Sequence, residues 1–514
     1  MEQDMTEPLT EVALLLDPGD TVAIARQFIP AGTRLGVAGG ELVVRQEIPP
    51  GHKLALRSVA VGEGIFRYGQ RIGQASQPIA PGDWVHSHNL DVGEIDRATG
   101  WRVVPPLPVQ PTGSAFLGFR RADGQVGTRN LIAIIATVNC AASVVARIAA
   151  YFTPERLAEY PNVDGVVAVT HSSGCSVAPD SLSLRYLRRS LKNLGHNPNI
   201  GAALYVGLGC EVNALEGCIP SFSPEEIGRL AGPGLAIQEA GGFKRTVQAG
   251  IAAVERILPE VNRSVREPAP LSGLKIALQC GGSDGWSGVT ANPLIGRVAD
   301  RVVREGGTVV LAETSEIFGA ERLLLERVAS DEAGARLVER LTWWLDYARR
   351  NGFSIDNNPT PGNKAGGLTT IYEKSLGAVA KGGTTPLVGV YEYAEKITTP
   401  GLAFMDTPGN DPVSVTGQLA GGCNVILFST GRGSVYGSGL APCIKLASNS
   451  ALAQRMAEDM DFDAGRALAG ERWEDLENAL FELVIGVASG RRTASENDAP
   501  RVHEFVPWQP EPFL

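Results

Sequence analysis

From Phe116 onward the chain alternates apolar runs of strand length with amphipathic stretches of helix length. The runs LIAIIATVN, GVVAVTHSS, AALYVGLGC, KIALQCGGS and TVVLAETSE place Val, Ile, Leu and Ala on consecutive positions. Strands covered on both faces require this, and segments such as SLSLRYLRRSLKNLG supply helices to cover them, so a parallel sheet is predicted. The stretch from Glu11 to about Leu90 reads differently. TVAIA, ELVVR, KLALRSVA and DWVHSHN are short β segments between Gly and Pro turns, the pattern of a small β domain. The prolines of VVPPLPVQPTG exclude helix and mark an extended linker, and NRSVREPAPLS marks a second boundary. The expected fold class is α/β: a small N-terminal β domain over 1–100, a linker over 101–115, a parallel-sheet α/β domain over 116–265, and a further α/β domain over 266–514.

A length of 514 residues agrees with about three domains. With 44% hydrophobic and 20% charged residues the composition is globular rather than disordered. Asp plus Glu outnumber Lys plus Arg by 56 to 46, which argues against a nucleic-acid partner and means that an anionic ligand needs local cations. Met1 to Pro8 lacks the basic-then-apolar pattern of a signal peptide, and no run of eighteen apolar residues occurs, so a soluble, cytoplasmic protein without a membrane partner is expected. In that compartment seven cysteines are not a disulfide framework; each is a buried apolar thiol or a ligand.

In parallel α/β sheets ligands bind beyond the carboxyl ends of the strands, where loops and helix N-termini converge. Those positions hold Asn139 and Cys140; His171, Ser172, Ser173 and Cys175; Cys210, Glu211 and Asn213; Cys280 with Ser283 and Asp284; and Glu313, Ser315 and Glu316. Several thiolates converging from different strands would hold a soft metal or a cluster, although no CxxC pair occurs. In the β domain His86 and His88 stand at i and i+2, which on a strand presents two imidazoles to one ion. The bland alternative is a solvated surface pair. His52, near a turn, reads as structural. The loops Pro361–Gly367 and Ser429–Ser434 put Lys364 and Arg432 among glycines, which suits a carboxylate or a hydroxyl-rich ligand as well as a plain turn. Neither has P-loop spacing, and no GxGxxG follows a strand, so a nucleotide is not implied.

The segment GFRRADGQVGTRN, residues 118–130, resembles a signature of the altronate and galactarate dehydratases. The likeness continues through TVNC, THSSGC, GLGCEVN, LQCGGSDGWSGVTANP, AETSEIFGAE, NNPTPGNKAGGLTT, EKSLGAVAKGGTT and FMDTPGNDPVSVTGQ. The β domain is similar to the SAF domain, a β-clip unit that such enzymes carry in front of their catalytic part. Cys218, Cys423 and Cys443 lie outside these motifs, which leaves Cys140, Cys175, Cys210 and Cys280 as the thiols of interest.

What the resemblance implies is a hydro-lyase that removes water from a sugar acid such as D-altronate or galactarate to give a 2-keto-3-deoxy acid. It also implies a divalent metal, Fe²⁺ before Mn²⁺ or Mg²⁺. The expected site has His86, His88, Cys140, Cys175 and Cys210 as metal ligands and His171, Lys364 and Glu313 as proton-transfer groups. Asp123, Arg129, Asn130, Asn139, Ser283, Asp284 and Arg432 are expected to bind the carboxylate or hydroxyls. The alternatives are an iron–sulfur hydro-lyase with Cys140, Cys175 and Cys210 on the cluster, and a non-catalytic sugar-acid or metal sensor. A small-molecule sugar acid is the expected partner, and any assembly is expected to be a homo-oligomer.

Overall fold

In the 131–136 run, LIAIIA, every side chain is buried, but alternate residues serve different cores. Ile132, Ile134 and Ala136 pack with Val145, Ile148, Val254 and Leu258, whereas Leu131, Ala133 and Ile135 pack with Leu187, Leu191 and Leu194. A strand with two apolar faces must lie between helix layers. The computed structural model, which describes residues 6–37, 40–93, 97–219, 229–497 and 504–511, shows this. In the second domain a parallel sheet has the order β2-β1-β3-β4, with β1 Leu131–Ala136, β2 Gly165–Val169, β3 Ile200–Gly207 and β4 Leu235–Ala236. Helix α1 (Ala142–Ala149) and helix α3 (Phe243–Val261) cover one face, and α2 (Leu182–Gly195) covers the other.

The third domain is a seven-stranded parallel sheet. Its strands are β5 Lys275–Cys280, β6 Thr308–Leu311, β7 Leu387–Tyr391, β8 Gly401–Met405, β9 Val425–Thr430, β10 Cys443–Ala447 and β11 Phe462–Asp463, in the order β7-β8-β6-β5-β9-β10-β11. The order reverses between β5 and β9, and a crevice opens at their carboxyl ends for topological reasons alone. Its helices include α4 (Ala291–Arg304), α5 (Asp331–Arg350), α6 (Ile371–Val379), α7 (Asp411–Ala420) and α8 (Trp473–Ala488).

Helices α2 and α7 pack side by side and run parallel. At one end Asn197 Nδ2 donates to the Leu419 and Cys423 carbonyls, at 2.8 Å each. At the other end Tyr186 meets the Tyr393 ring, whose hydroxyl donates to the Val413 carbonyl at 2.8 Å. Each helix begins just beyond the carboxyl end of a strand of its own sheet, so the strand-end faces of both sheets open on the same side of the molecule.

The first domain consists of small β-sheets. One is four-stranded and antiparallel, in the order Ala13–Leu14, Val22–Ala25, Lys53–Ala55, Trp84–Val85. Part of its core, including Val59, Ile65, Ile72 and Ile79, is continuous with the core of the third domain. The proline-rich linker also lies on the third domain: the Arg102 and Val104 amides donate to the Leu325 and Val328 carbonyls. The chain enters the second domain along Ala115–Arg120 and leaves it along Glu267–Pro270, the two strands paired antiparallel. No helix among the described residues is long and apolar enough to cross a membrane.

Candidate active site

Beyond β5 and β6 lies a buried cluster of charged groups. Cys280, the last residue of β5, sits 3.7 Å from Glu316 Oε2 and 3.9 Å from Glu313 Oε2. Lys381 Nζ donates to Cys280 Sγ at 2.8 Å and to Glu313 at 3.1 Å, while Lys374 Nζ donates to Glu316 Oε1 and Asn358 Oδ1, both at 2.7 Å. The two lysines are seven residues apart, on α6 and the single turn after it. That spacing is two helical turns, so both ammonium groups face one side. Asp411, the first residue of α7, completes the group. A side chain at Gly281 would put its Cβ 2.1 Å from Asp411 Oδ2, so only glycine there admits this carboxylate.

Burial, and then the neighbouring carboxylates, divide the protonation states. Glu313 is pushed up to about 8 by burial and by Glu316. Asp411, at the half-exposed edge, is raised to about 6 by burial and Glu316. Burial also works on Glu316, but Lys374 and Lys381 outweigh it and hold that carboxyl below its usual range. Burial carries the Cys280 thiol up to about 12, which leaves it neutral. Lys381 is held above the usual ammonium value by Cys280, Glu313 and Glu316 in spite of burial. One carboxylic acid, two carboxylates and two ammonium groups therefore share the site near pH 7.

Glu313 has φ of 68°, left-handed backbone that costs a non-glycine residue roughly 1–2 kcal/mol. Its amide donates to Thr407 Oγ1 at 2.9 Å, and its Oε1 is buried without a partner. A strained backbone that aims an unpaired carboxyl oxygen into a polar cluster is the mark of a working group rather than a structural one.

The crevice between β5 and β9 is built by Asp284 and closed by the first domain. Asp284 Oδ1 accepts from the Trp286 and Ser287 amides and from the Ser287 and Ser448 hydroxyls, and Oδ2 accepts from Asn449. It thus ties the two strand-end loops together, and a Cβ at Gly431 would lie 2.1 Å from its carboxyl carbon. Asn363 Nδ2 donates to the Ser283 carbonyl at 2.8 Å, which holds the Lys364 loop over this crevice. Exposed Arg432 stands beside Gly366 and Gly282. Ser283 is buried, and its hydroxyl has no partner.

From the first domain, His86 Nε2 donates to the Lys364 carbonyl at 2.9 Å, and the His86 ring stacks on His52 with centroids 5.2 Å apart. Lys53 donates to the Gly367 carbonyl at 2.6 Å, and Arg67 to the Gly285 carbonyl at 2.6 Å. Both cations also pair with Glu373, the residue before Lys374. All three side chains are fully buried, and the two cations hold the Glu373 carboxyl down to about 2 against the pull of burial.

Several expectations are corrected. The strand ends at Val85, and residues 86–89 form a turn held by Asn89, so His86 and His88 do not share a strand face; Trp84 meets both rings. The imidazoles do not join the thiols: among the described residues only Cys280, Glu313 and Glu316 form a group of three metal-type donors within 4.8 Å of one another. Cys140, Cys175 and Cys210 lie on the second domain, and Asn139 is with them, 3.6 Å from Cys140 Sγ.

His171 is not available as a base. Its Nε2 donates to the Ala136 carbonyl and its Nδ1 accepts from the Ser173 amide, and burial holds the ring neutral down to about 4. His171→Gln is expected to cost about 1–3 kcal/mol of stability, measured by denaturant unfolding, because it disturbs buried hydrogen bonds. It should not move either limb of the pH–rate profile; a shifted limb would return His171 to the chemistry.

Arg129 pairs with Glu496 at 2.7 Å and caps the Val487 carbonyl. Asn130 bridges the Asn162 and Val261 carbonyls, and Asp123 accepts from Gln125 within its own turn. All three are structural, because their polar groups serve backbone or side chains of the fold. The sequence reading passed over Lys374, Lys381 and Asp411. The available signal was charged residues inside motifs otherwise made of small and apolar ones.

Three family models match consecutive parts of the chain: the altronate/galactarate dehydratase SAF domain over 11–93, the D-galactarate dehydratase/altronate hydrolase second domain over 118–262, and the D-galactarate/altronate dehydratase C-terminal domain over 271–513. Among curated relatives, an altronate dehydratase of Escherichia coli (strain K12) is 36% identical over 485 residues, 93% of this chain and 95% of the relative. A galactarate dehydratase (L-threo-forming) of the same organism is 37% identical over 497 residues, 94% of each. The β subunit of a (2R)-sulfolactate sulfo-lyase of Chromohalobacter salexigens is 33% identical over 404 residues, 77% of this chain and 97% of the relative.

Proposed function

Because the chain belongs to the D-galactarate/altronate dehydratase family and is a hydro-lyase, we propose that it dehydrates an aldonate or aldarate, such as altronate or galactarate, to a 2-keto-3-deoxy acid at the Glu313–Lys381 cluster. The observation that carries this reading is the buried, unpartnered Oε1 of Glu313 in one site with Lys381 and Asp411, where burial raises the two carboxyls unequally, Asp411 to about 6 and Glu313 to about 8. Groups so separated supply a base and an acid at the same pH.

In this reading the substrate carboxylate lies among Lys364, Arg432 and the Asp284 loop. Asp411 takes the proton from C2. The C2=C3 bond forms as the C3–O bond breaks, and Glu313 Oε1 gives its proton to the departing hydroxide, which leaves as water. The enol then becomes the 2-keto acid. Lys374 and Lys381 oppose the negative charge that grows on the substrate carboxylate, in a site from which water is largely excluded. A sulfo-lyase among the relatives is consistent with an elimination in which the carboxylate is handled alike and the leaving group differs.

A divalent ion does not fit inside this cluster. Cys280, Glu313 and Glu316 present their donor atoms together, but Lys381 and Lys374 already neutralise them at contact distance. No step is therefore routed through an ion here.

The test is a pH profile of kcat/KM on altronate and galactarate, with the keto acid as the measured product. Asp411 must be ionised, so activity falls below about pH 6; Glu313 must be protonated, so activity falls above about pH 8. Burial, Glu316, Lys374 and Lys381 set both limits, and the Cys280 thiol also faces Glu313. Glu313→Gln should remove the alkaline limb and lower kcat by on the order of 10²–10⁴. An unchanged alkaline limb in that variant sinks the assignment, and silence on a broad panel of sugar acids sinks the substrate class.

A further inference from the structure

A cavity of about 670 Å³ opens where the first domain, the linker and the third domain meet, and none of the groups of the Glu313 cluster or of the Asp284 crevice lines it. Its walls carry four arginines and two glutamates. In a chain of formal charge −10, a hollow with a surplus of guanidinium groups is where a small anion collects. The arginines come from every part that meets there: Arg71 from the strand Gln70–Ala75, Arg97 and Arg102 from the chain that leaves the first domain, and Arg322 from the helix Arg322–Leu325 of the third.

Three of the four spend few of their five donors on the fold. Arg71 donates to the Gly73 carbonyl at 3.3 Å and to Gln74 Oε1 at 3.0 Å, Arg97 to the Thr342 hydroxyl at 3.1 Å, and Arg102 to the Glu326 carbonyl at 3.1 Å. None of these hydrogen-bond acceptors is charged, and Arg97 Nε is buried with no partner. Arg322 pairs with Glu326 at 2.7 Å, an exposed i,i+4 contact of the kind that contributes little. The other acid, Glu321, is 2% exposed; its Oε1 accepts from the Ala98 amide at 3.3 Å, and its Oε2 is buried with no partner. A buried oxygen left over at the wall of a cationic hollow has a hydroxyl of a ligand as its natural partner.

The cavity is preformed. Trp101 Nε1 donates to Asp331 Oδ1 at 2.9 Å, and its ring lies so close over Gly334 that a Cβ there would fall 2.5 Å from it, which fixes the linker on the third domain. The inner wall includes Tyr372, the second residue of α6. Gly319 has φ of 81°, and a Cβ there would fall 1.6 Å from the Tyr372 ring, so glycine is required for the ring to occupy that place. Tyr372 precedes Glu373, which holds Lys53 and Arg67, and on the other side Phe66, the neighbour of Arg67, belongs to the same wall. The cavity thus lies against the joint by which the first domain is seated.

We propose that this cavity binds a hydroxylated dianion of sugar size, a sugar phosphate or a hydroxylated dicarboxylate, with Arg71, Arg97 and Arg102 on its charged groups and Glu321 on a hydroxyl, and that occupancy tightens the joint between the first and third domains. Guanidinium groups offer parallel N–H donors to a carboxylate or a phosphate, and here they reach the ligand from both sides of the joint. No bond is made or broken, and the ligand acts as an effector. The cavity is separate from the catalytic crevice, so anion binding here and turnover there can fail independently.

The experiment titrates the full chain calorimetrically with glucose 6-phosphate, with tartrate, with inorganic phosphate and with glucose. At least one of the first two should bind one per chain, and which of them does so assigns the charged group as phosphate or carboxylate. Arg71→Gln combined with Arg102→Gln should weaken that binding at least about tenfold, through lost charge-assisted hydrogen bonds, whereas Arg432→Gln in the crevice should leave it unchanged. Both replaced arginines are exposed, so the fold should survive, and Arg71→Gln alone repeats the test with a smaller change. With ligand at about ten times its dissociation constant, amide exchange of Gly64–Arg67 and Gln70–Ala75 that proceeds through separation of the joint should slow about tenfold. No binding of either dianion at about 10 mM overturns the site, as does binding that the double variant leaves intact or that inorganic phosphate matches. Binding without slower exchange overturns the tightening of the joint.

Discussion

Replacing Lys381 by methionine is expected to lower kcat by on the order of 10²–10³, the usual cost of removing one buried donor aimed at developing charge. Lys381 is fully buried and touches both Cys280 and Glu313, so no other described side chain stands ready to replace its ammonium at those two atoms. The variant has a second signature that a merely structural lysine would not give. Lys381 pulls the carboxyls of Glu313 and Asp411 downward, so without it both rise. Since activity needs Asp411 ionised and Glu313 protonated, the acid and alkaline limbs should both move to higher pH. Methionine keeps the volume of the side chain and leaves Glu313 free to be neutral, so the fold should survive; circular dichroism checks that. Full turnover, or a loss of turnover with both limbs unmoved, would remove Lys381 from the chemistry.

The second large effect falls on the joint between the first and third domains. Glu373→Ala would leave Lys53 and Arg67 buried with no carboxylate between them. Breaking a buried ion pair in this one-sided way typically costs about 3–5 kcal/mol, because an uncompensated charge remains. Chemical denaturation should show that loss. Turnover should fall as well, since Lys374 follows Glu373 on α6 and since Lys53 and Arg67 grip the Gly367 and Gly285 carbonyls that shape the crevice. A stability change below about 1 kcal/mol would mean that apolar packing alone seats the domain.

The layers were already dictated by the order of apolar residues along the chain. Consecutive apolar residues can be buried on both faces only between helix layers, so LIAIIA and KIALQC had to be inner parallel strands, and reactive residues just past them had to sit on loops at one edge. That is why Cys140, Cys175, Cys210, Cys280 and Glu313 were legible as candidates. The sequence also marked the family, through motifs too long to recur by chance.

What the sequence did not carry was which candidates share a pocket. Lys374 and Lys381 look like ordinary surface charges of a helix until tertiary packing buries that helix on every side. Arg129 and Asn130 look like ligands until Glu496 and the Val261 carbonyl are brought to them from more than a hundred residues away. His86 and His88 share a face only if the strand continues, and Asn89 ends it. Protonation is decided at the same level, because Glu313 and Glu316, three residues apart, are set in opposite directions by burial and by the lysines each one meets. Spacing along the chain fixes which side chains point the same way; only the folded arrangement of sheets and domains fixes what they point at, and that surrounding, through desolvation and neighbouring charge, makes the chemistry.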